Sequence, residues 1–420
     1  MAQILALSIL ITTLAGLFLL LTRRTFSARW DVVAGALLVF GVLLVVGQQV
    51  DIAPNRLISY LVNFLILATL FALLSLGLNV QWGYAGLFNI GVAGFFGVGA
   101  YVSSILVQDP QNLAVNPGLA GFFGHYFNLP FPIGFIGAMV VSALLAVVVG
   151  FATLRLRIDY LAIATIGIAE ILRIFVTNER AITEGTRGIP NIPQPLYDCL
   201  VQQITPKPLC KIPLLDLGIP QLLNSAQYNW FYVLILLSLL ACGYVALELV
   251  SRSPWGRVLR AVREDEDAAN SLGKNVFRFK MQSLIVGAAI MGAAGSLWAH
   301  FVKFVDPQIF DPVQGTFLVW VMLIVGGTGN NRGAILGAYI MWAIWTGTNF
   351  LNDLLPPILE TPLGKLNVAV QLFGPIRVMA IAIVLELILL FRPRGLLGEE
   401  KVTSTLMDPA SGTESADPKK

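Results

Sequence analysis

The sequence predicts an all-α fold, a polytopic bundle of membrane-spanning helices. Charged residues make up only 12% of the 420 residues and hydrophobic ones reach 56%, against about 25% and roughly 45–50% in soluble chains. The apolar residues gather in blocks of about 15–25, the length a helix needs to cross a hydrocarbon layer of about 30 Å. The polar stretches between blocks carry their positive charge unevenly, as loops on opposite faces of a membrane do. A length that would allow two or three soluble domains therefore reads as one bundle.

Eleven blocks follow one another, with ten to twelve spans as the range. The first two lie at 4–21 and 32–49. Met1-Ala2-Gln3 lacks the basic start of a secretory signal, and Arg23, Arg24 and Arg29 follow the apolar run instead, so this order predicts a retained helix with its N-terminus outside. The third block, 57–78, leads into a fourth at 83–107 that is crowded with glycines. Blocks at 131–153 and 160–177 flank Arg155 and Arg157. A long polar loop precedes 229–250, and a charged segment precedes 282–302. The block at 315–329 is short enough to be re-entrant, and 333–351 and 375–391 complete the set. Threading these spans puts most of the 27 basic residues on the inner face, which gives an N-out, C-in topology. The net charge of +3 then reflects inner loops, and no nucleic-acid partner is expected. Residues 1–56 read as a two-helix extension, 57–398 as the main domain and 399–420 as a disordered polar tail.

Between 77 and 99, glycines at 77, 83, 86, 91, 94, 97 and 99 alternate with apolar residues. Small residues let helix backbones approach closely in lipid, and they let a span break. A broken helix frees N–H and C=O groups, which is tolerable only against protein or a wet cavity, and transporters hold ionised substrate groups with such ends. Asn79, Gln81 and Asn89 add amide donors and acceptors there; tight packing without substrate contact is the alternative. Glu170 and Glu386 lie inside spans, where an ionised group costs about 2.5–3.5 kcal/mol on insertion scales and needs a partner or water. Arg173, one turn from Glu170, offers such a partner and a structural role. Asn63, His300 and Lys303 are lesser pathway candidates.

Two polar segments lie on opposite faces. The outer one, 178–228, contains Thr183-Glu184-Gly185-Thr186-Arg187-Gly188-Ile189-Pro190, and long loops in compact proteins are usually functional or disordered. Cys199 and Cys210 share that loop, either as a disulfide or as two free thiols, while Cys242 reads as a small buried apolar residue. On the inside, Trp255, Val258, Leu259 and Val262 recur at helical spacing, and Ala268, Ala269 and Leu272 continue to a stop at Gly273. One or two amphipathic helices at the membrane surface are expected, with a solvated loop as the alternative.

The run Ala261-Val262-Arg263-Glu264-Asp265-Glu266-Asp267-Ala268-Ala269-Asn270-Ser271-Leu272-Gly273 resembles the cytoplasmic coupling loop of ABC importer permeases. Residues 76–91 with Gly94 and 97–101, Thr186-Arg187-Gly188-Ile189-Pro190, Gly326-Gly327-Thr328-Gly329 and Phe391-Arg392-Pro393-Arg394-Gly395-Leu396-Leu397-Gly398 are similar, in order, to further motifs of the LivM-like permeases for branched-chain and neutral amino acids. Urea permeases are near cousins. The resemblance implies a permease in the bacterial inner membrane working with a second, LivH-like permease, two ATPase subunits and an external solute-binding protein. It places Arg263, Glu264, Asp265, Glu266, Asp267, Ala268, Ala269 and Gly273 on the ATPase-coupling surface. Asn79, Gln81, Tyr84 and Asn89, with Glu170, would line or shape the substrate path, and Glu184, Gly185, Thr186, Arg187 and Gly188 would meet the binding protein.

No phosphate-binding G-x-x-x-x-G-K-[ST] loop occurs; Gly326-Gly327-Thr328-Gly329-Asn330-Asn331-Arg332-Gly333 lacks the Lys and Ser/Thr that hold phosphate and magnesium. ATP and Mg are thus expected on the partner ATPase, with no cofactor on this chain. Two histidines and three cysteines make a metal site unexpected, and no nucleophile and base constellation supports an enzyme. A secondary transporter or channel acting without an ATPase is the competing class, and a membrane scaffold or enzyme the third.

Overall fold

A computed structural model describes residues 54–108, 129–197, 210–211, 218–219, 225–354, 358–361, 364–367 and 373–398. The blocks at 4–21 and 32–49, Cys199 with its expected pairing to Cys210, and the tail at 399–420 lie outside the described residues.

The described chain is helical with a few short strand pairs. Helix α1 (Pro54–Leu78) continues into a π-helical turn at Asn79–Tyr84. The chain then runs non-helical through 86–91 before α2 (Val92–Val107). The fourth apolar block therefore becomes helix only from Val92, because Gly86 turns the chain through a left-handed conformation (φ +70°). Helices α3 (Phe131–Thr153) and α4 (Ile158–Asn178) form a hairpin. After the outer loop come α5 (Ser225–Arg252), α6 (Pro254–Glu264), α7 (Glu266–Ser271) and α8 (Val276–Val302). A second interrupted segment follows: a 3₁₀ turn at Pro307–Phe310, a π turn at Val313–Phe317 and α9 (Leu318–Gly326). Helices α10 (Asn331–Leu354) and α11 (Phe373–Phe391) complete the order.

Among the described residues five helices are long and apolar enough to cross a membrane: Ser59–Tyr84, Phe131–Thr153, Ile158–Asn178, Gln227–Arg252 and Val276–Val302. Val92–Val107 and Val313–Gly326 are apolar but shorter; at about 1.5 Å per residue neither reaches across about 30 Å. They are half-spans, and they pack on each other: Ala93 N donates to Thr316 Oγ1 at 3.2 Å.

Burial sorts the long helices. Some 78% of the most apolar stretch of Ser59–Tyr84 is buried, against 22–28% for α3, α4 and α5. The last three expose apolar side chains such as Leu144 and Val148, Ile163 and Ile171, and Leu234 and Leu249. A polytopic helical membrane protein accounts for those faces, since lipid costs them nothing. Helix α8 sits at the centre, packed on α1, α2 and α3. A Cβ on Gly295 would land on the Phe96 carbonyl and 2.9 Å from Ala100 N, so the α2 and α8 backbones touch at this point.

Candidate functional site

The break after α1 is pinned by the amides expected there. Asn79, Gln81 and Asn89 are fully buried. Asn79 Nδ2 donates to Asn331 Oδ1 at 3.0 Å, and its Oδ1 accepts from Gly329 N at 2.9 Å. Gln81 Nε2 donates to the Leu284 carbonyl at 3.0 Å and its Oε1 accepts from Asn89 Nδ2 at 2.7 Å. Asn89 Oδ1 accepts from Gly91 N at 2.8 Å, at the N-cap position of α2. These bonds hold both ends of the non-helical stretch, which would otherwise leave backbone groups unpaired at membrane depth. Tyr84 is buried beside them. Each of the three amides binds protein on both sides, so the group shapes the junction.

Sequence reasoning missed the aromatic cluster that fills the junction. Trp320 of α9 lies 4.3 Å from Trp82 and 4.6 Å from Phe88, centroid to centroid, and its Nε1 donates to the Asn89 carbonyl at 3.0 Å. Trp82 and Phe88 are half-buried. A Trp within an apolar block was the available signal, since a buried indole N–H needs an acceptor. Also unforeseen is Asn331, which carries the network outward from Asn79 to Glu248 Oε2 at 3.2 Å.

Glu170 stands apart from this group. Its carboxylate takes two hydrogen bonds from Arg173, Nε to Oε2 at 2.8 Å and Nη2 to Oε1 at 2.5 Å, on a face of α4 where both side chains are about four-tenths exposed. Glu386 is exposed on α11 and Asn63 on α1.

On the opposite side of the bundle, the segment from Glu184 is strapped to the ends of α2 and α8. Strand β1 (Ile189–Pro190) pairs antiparallel with Phe304–Val305, Gln108 Nε2 donates to the Pro190 carbonyl at 2.8 Å, and Ile192 N donates to the Lys303 carbonyl at 3.1 Å. Thr186 and Arg187 point outward, Glu184 is half-buried, and Gly185 and Gly188 are buried. His300 ties this strap to the core. Ser296 Oγ donates to Ser103 Oγ at 2.7 Å, Ser103 Oγ to His300 Nε2 at 2.8 Å, and His300 Nδ1 to the Pro193 carbonyl at 2.6 Å. His300→Ala takes the acceptor from the Ser103 hydroxyl, which keeps its bond from Ser296, and the donor from the Pro193 carbonyl, a loss of about 1–3 kcal/mol in all. The expected result is a lower thermal midpoint in detergent; an unchanged midpoint would show that water replaces the ring.

At the end of the bundle away from this strap, α6 buries Gly256, Leu259 and Val262. Trp255 Nε1 donates to Gln282 Oε1 at 2.8 Å and Arg260 Nη2 to the Ser251 carbonyl at 2.7 Å, clamping α6 to α8 and α5. Asp265 breaks the pair and caps α7 by accepting from Ala268 N at 2.9 Å. Gly273, at φ +76°, ends it, with the Lys274 N–H returning to the Ala269 carbonyl at 3.1 Å. The expected coupling residues divide by environment. Glu264, Asp265, Asp267, Ala268 and Gly273 are exposed, and Glu266 is exposed yet paired with Lys280. Ala269 packs with Val262 and Val276, and Arg263 is half-buried and turned inward, donating to the Gly83 carbonyl. Leu272, 80% exposed, stands at the tip. An open cleft of about 610 Å³ beside α7 is lined by Arg155, Asn270, Lys274 and Phe277 among others.

Gly273 has open space where a Cβ would go, so its requirement is the positive φ alone. Gly273→Val then strains one turn by about 1–2 kcal/mol and alters the tip without touching the bundle. It is expected to lower uptake while the protein still accumulates normally, and Gly273→Asn, which tolerates this conformation, is expected to restore most of it. Equal uptake in all three proteins would remove the turn from the mechanism.

The chain matches the family described as "Branched-chain amino acid transport system / permease component" over residues 60–374. It is 32% identical over 281 residues to the high-affinity branched-chain amino acid transport system permease protein LivM of Salmonella typhimurium, covering 67% of this chain and 61% of that relative. A probable branched-chain amino acid transport permease protein LivM of Methanocaldococcus jannaschii is 27% identical, with 80% and 93% covered. The LivH permease of Escherichia coli is 23% identical, with 66% and 82% covered. No solved structure matches the chain.

Proposed function

As the chain belongs to the family of branched-chain amino acid transport permeases, we propose that it is the membrane-spanning permease subunit of an ATP-driven importer of amino acids, neutral or branched-chain ones first. The cytoplasmic helix pair carries the reading. It is a short knob, its second helix capped at both ends, acidic on the exposed face of that helix, tipped by Leu272 and rooted on the broken helix by Arg263. A rigid knob of this form suits a cleft on a separate ATPase, which would supply ATP and Mg and transmit its closure inward. An autonomous secondary transporter has no use for it.

The half-spans meeting at Trp82, Phe88 and Trp320 would form the gate of the path. Half-buried aromatic surface there suits an apolar substrate side chain, while Asn79, Gln81, Tyr84 and Asn89 hold its shape. Thr186 and Arg187 on the outer strap would meet the solute-binding protein. The family's LivM and LivH members support a homologous permease as partner. The uneven basic loops support an N-out, C-in arrangement in the bacterial inner membrane, with two of the eleven apolar blocks as half-spans.

Extraction in mild detergent, followed by mass spectrometry of what accompanies the chain, tests the reading. A second permease with ATPase subunits is the expected result. A solitary chain, in a detergent that preserves known importers, would return the protein to the secondary-transporter class. Reconstituted uptake of labelled leucine, alanine and urea then separates an amino-acid importer from a urea importer.

A further inference from the structure

We infer that Arg263 is the positioning residue through which the cytoplasmic helix pair moves the broken helix, as a cap supplied in trans to the Gly83 carbonyl; the inference rests on the importer reading.

The π turn ends at Tyr84 and the chain leaves helical geometry at Gly86. Carbonyls in the last turn of a helix lack the donors a continuing helix would give them and form the negative end of its dipole. The Gly83 carbonyl is in that turn, and Arg263 Nη1 donates to it from a position 180 residues along the chain. A guanidinium on a terminal carbonyl is a charge-assisted bond, roughly twice as strong as a neutral one. Contact continues below it: a Cβ on Gly86 would lie 3.0 Å from Arg263 Cγ and 3.6 Å from its Cα, so α6 is seated on the turn itself.

The far side of the same turn reaches the proposed gate. Asn79 binds Gly329 N, and Trp82 packs against Trp320 with its ring tilted 47° to it. A displacement of α6 is therefore passed to Gly83 and, one residue away, to Trp82 and the second half-span. Glu264, Asp265 and Asp267, its neighbours on the loop, are exposed. They are placed to receive the ATPase's motion, and Arg263 to deliver it.

The test uses the assembled complex with the three native cysteines replaced by serine and a reporter, Ile90→Cys, in the half-buried stretch beside the gate. Maleimide labelling is followed with and without a non-hydrolysable ATP analogue, alongside substrate uptake, ATP hydrolysis and co-purification of the ATPase. With Arg263 present, the labelling rate is expected to change on nucleotide binding. In Arg263→Gln that change is lost and uptake falls more than tenfold, while the ATPase still co-purifies and hydrolyses ATP. Arg263→Lys, which keeps a cation, recovers part of both. Arg263→Met, which keeps the length of the side chain and loses its donors, reproduces the Gln phenotype and decides the matter if Arg263→Gln does not assemble. Nucleotide-dependent labelling and normal uptake in the Gln or Met variant would overturn the inference while leaving the importer intact. Failure of any ATPase to accompany the unsubstituted chain would overturn the importer reading, and the inference with it.

Discussion

Gly295→Val is expected to remove folded protein from the membrane. The α2 and α8 backbones meet at this residue, and an added side chain would occupy the place of the Phe96 carbonyl. Relief by rotamer change is impossible because the obstacle is main chain. Separation of the helices is opposed on the other side of α8, where Ser283 Oγ donates to the Val80 carbonyl at 2.8 Å and Tyr232 Oη to the Leu297 carbonyl at 2.6 Å. Overpacking of a core costs about 1–3 kcal/mol and occasionally more; a backbone clash at the central helix belongs at or above the upper end. Size-exclusion profiles of detergent extracts should show aggregate in place of a monodisperse peak. Gly167→Val is the control, since Gly167 is exposed on α4 and nothing lies within 4 Å of its added Cβ. Similar losses in both variants would mean that valine in a span is harmful regardless of packing.

Leu272→Asp is expected to give the largest loss of transport without loss of fold. The side chain is 80% exposed and so contributes little to the bundle. At the tip of the proposed docking knob, an apolar anchor entering a partner cleft would be worth about 2 kcal/mol or more, or roughly thirtyfold in affinity. Replacing it with a carboxylate adds the cost of burying a charge. Uptake and substrate-stimulated ATP hydrolysis should fall together, and the ATPase should dissociate at lower detergent or salt stress. An undiminished complex would place the contact elsewhere on the loop, with Glu264 and Asp267 next to be tested.

Much of the architecture was legible because lipid imposes strict rules on a chain. Seven of the nine apolar blocks within the described residues coincide with long or medium helices, within a few residues at their ends. The exceptions are the blocks at 83–107 and 315–329, each of which is half a span preceded by a π turn. The glycines between 77 and 99 allowed a break and the shortness of 315–329 allowed a re-entrant segment, but the position of each break depended on where partners for the freed backbone groups were available. The charged segment 251–281 was legible as one or two short helices because the stop at Gly273 is local chemistry, and the cap at Asp265 that divides it in two came from the structure.

The candidate site was legible as a set of residues and much less so as an arrangement. The family resemblance grouped Arg263 with the acidic residues of the loop, yet a helix turns successive residues about 100° apart, and that rotation sends it into the bundle. Glu170 was grouped with the pathway because it is ionisable, with Arg173 as the alternative partner, and the structure pairs the two on the exposed face of α4.

By itself the sequence determined the helical membrane class, most of the helical segments, the two long polar segments and the family, since each follows from composition, period and local motif. Only the tertiary structure decided that Trp82, Phe88 and Trp320 meet, that Asn79 answers Asn331 across 252 residues, and that Arg263 caps Gly83. The physical reason is that a buried polar group or an aromatic ring states a need for a partner in the sequence, while which partner meets that need is settled by how the helices pack.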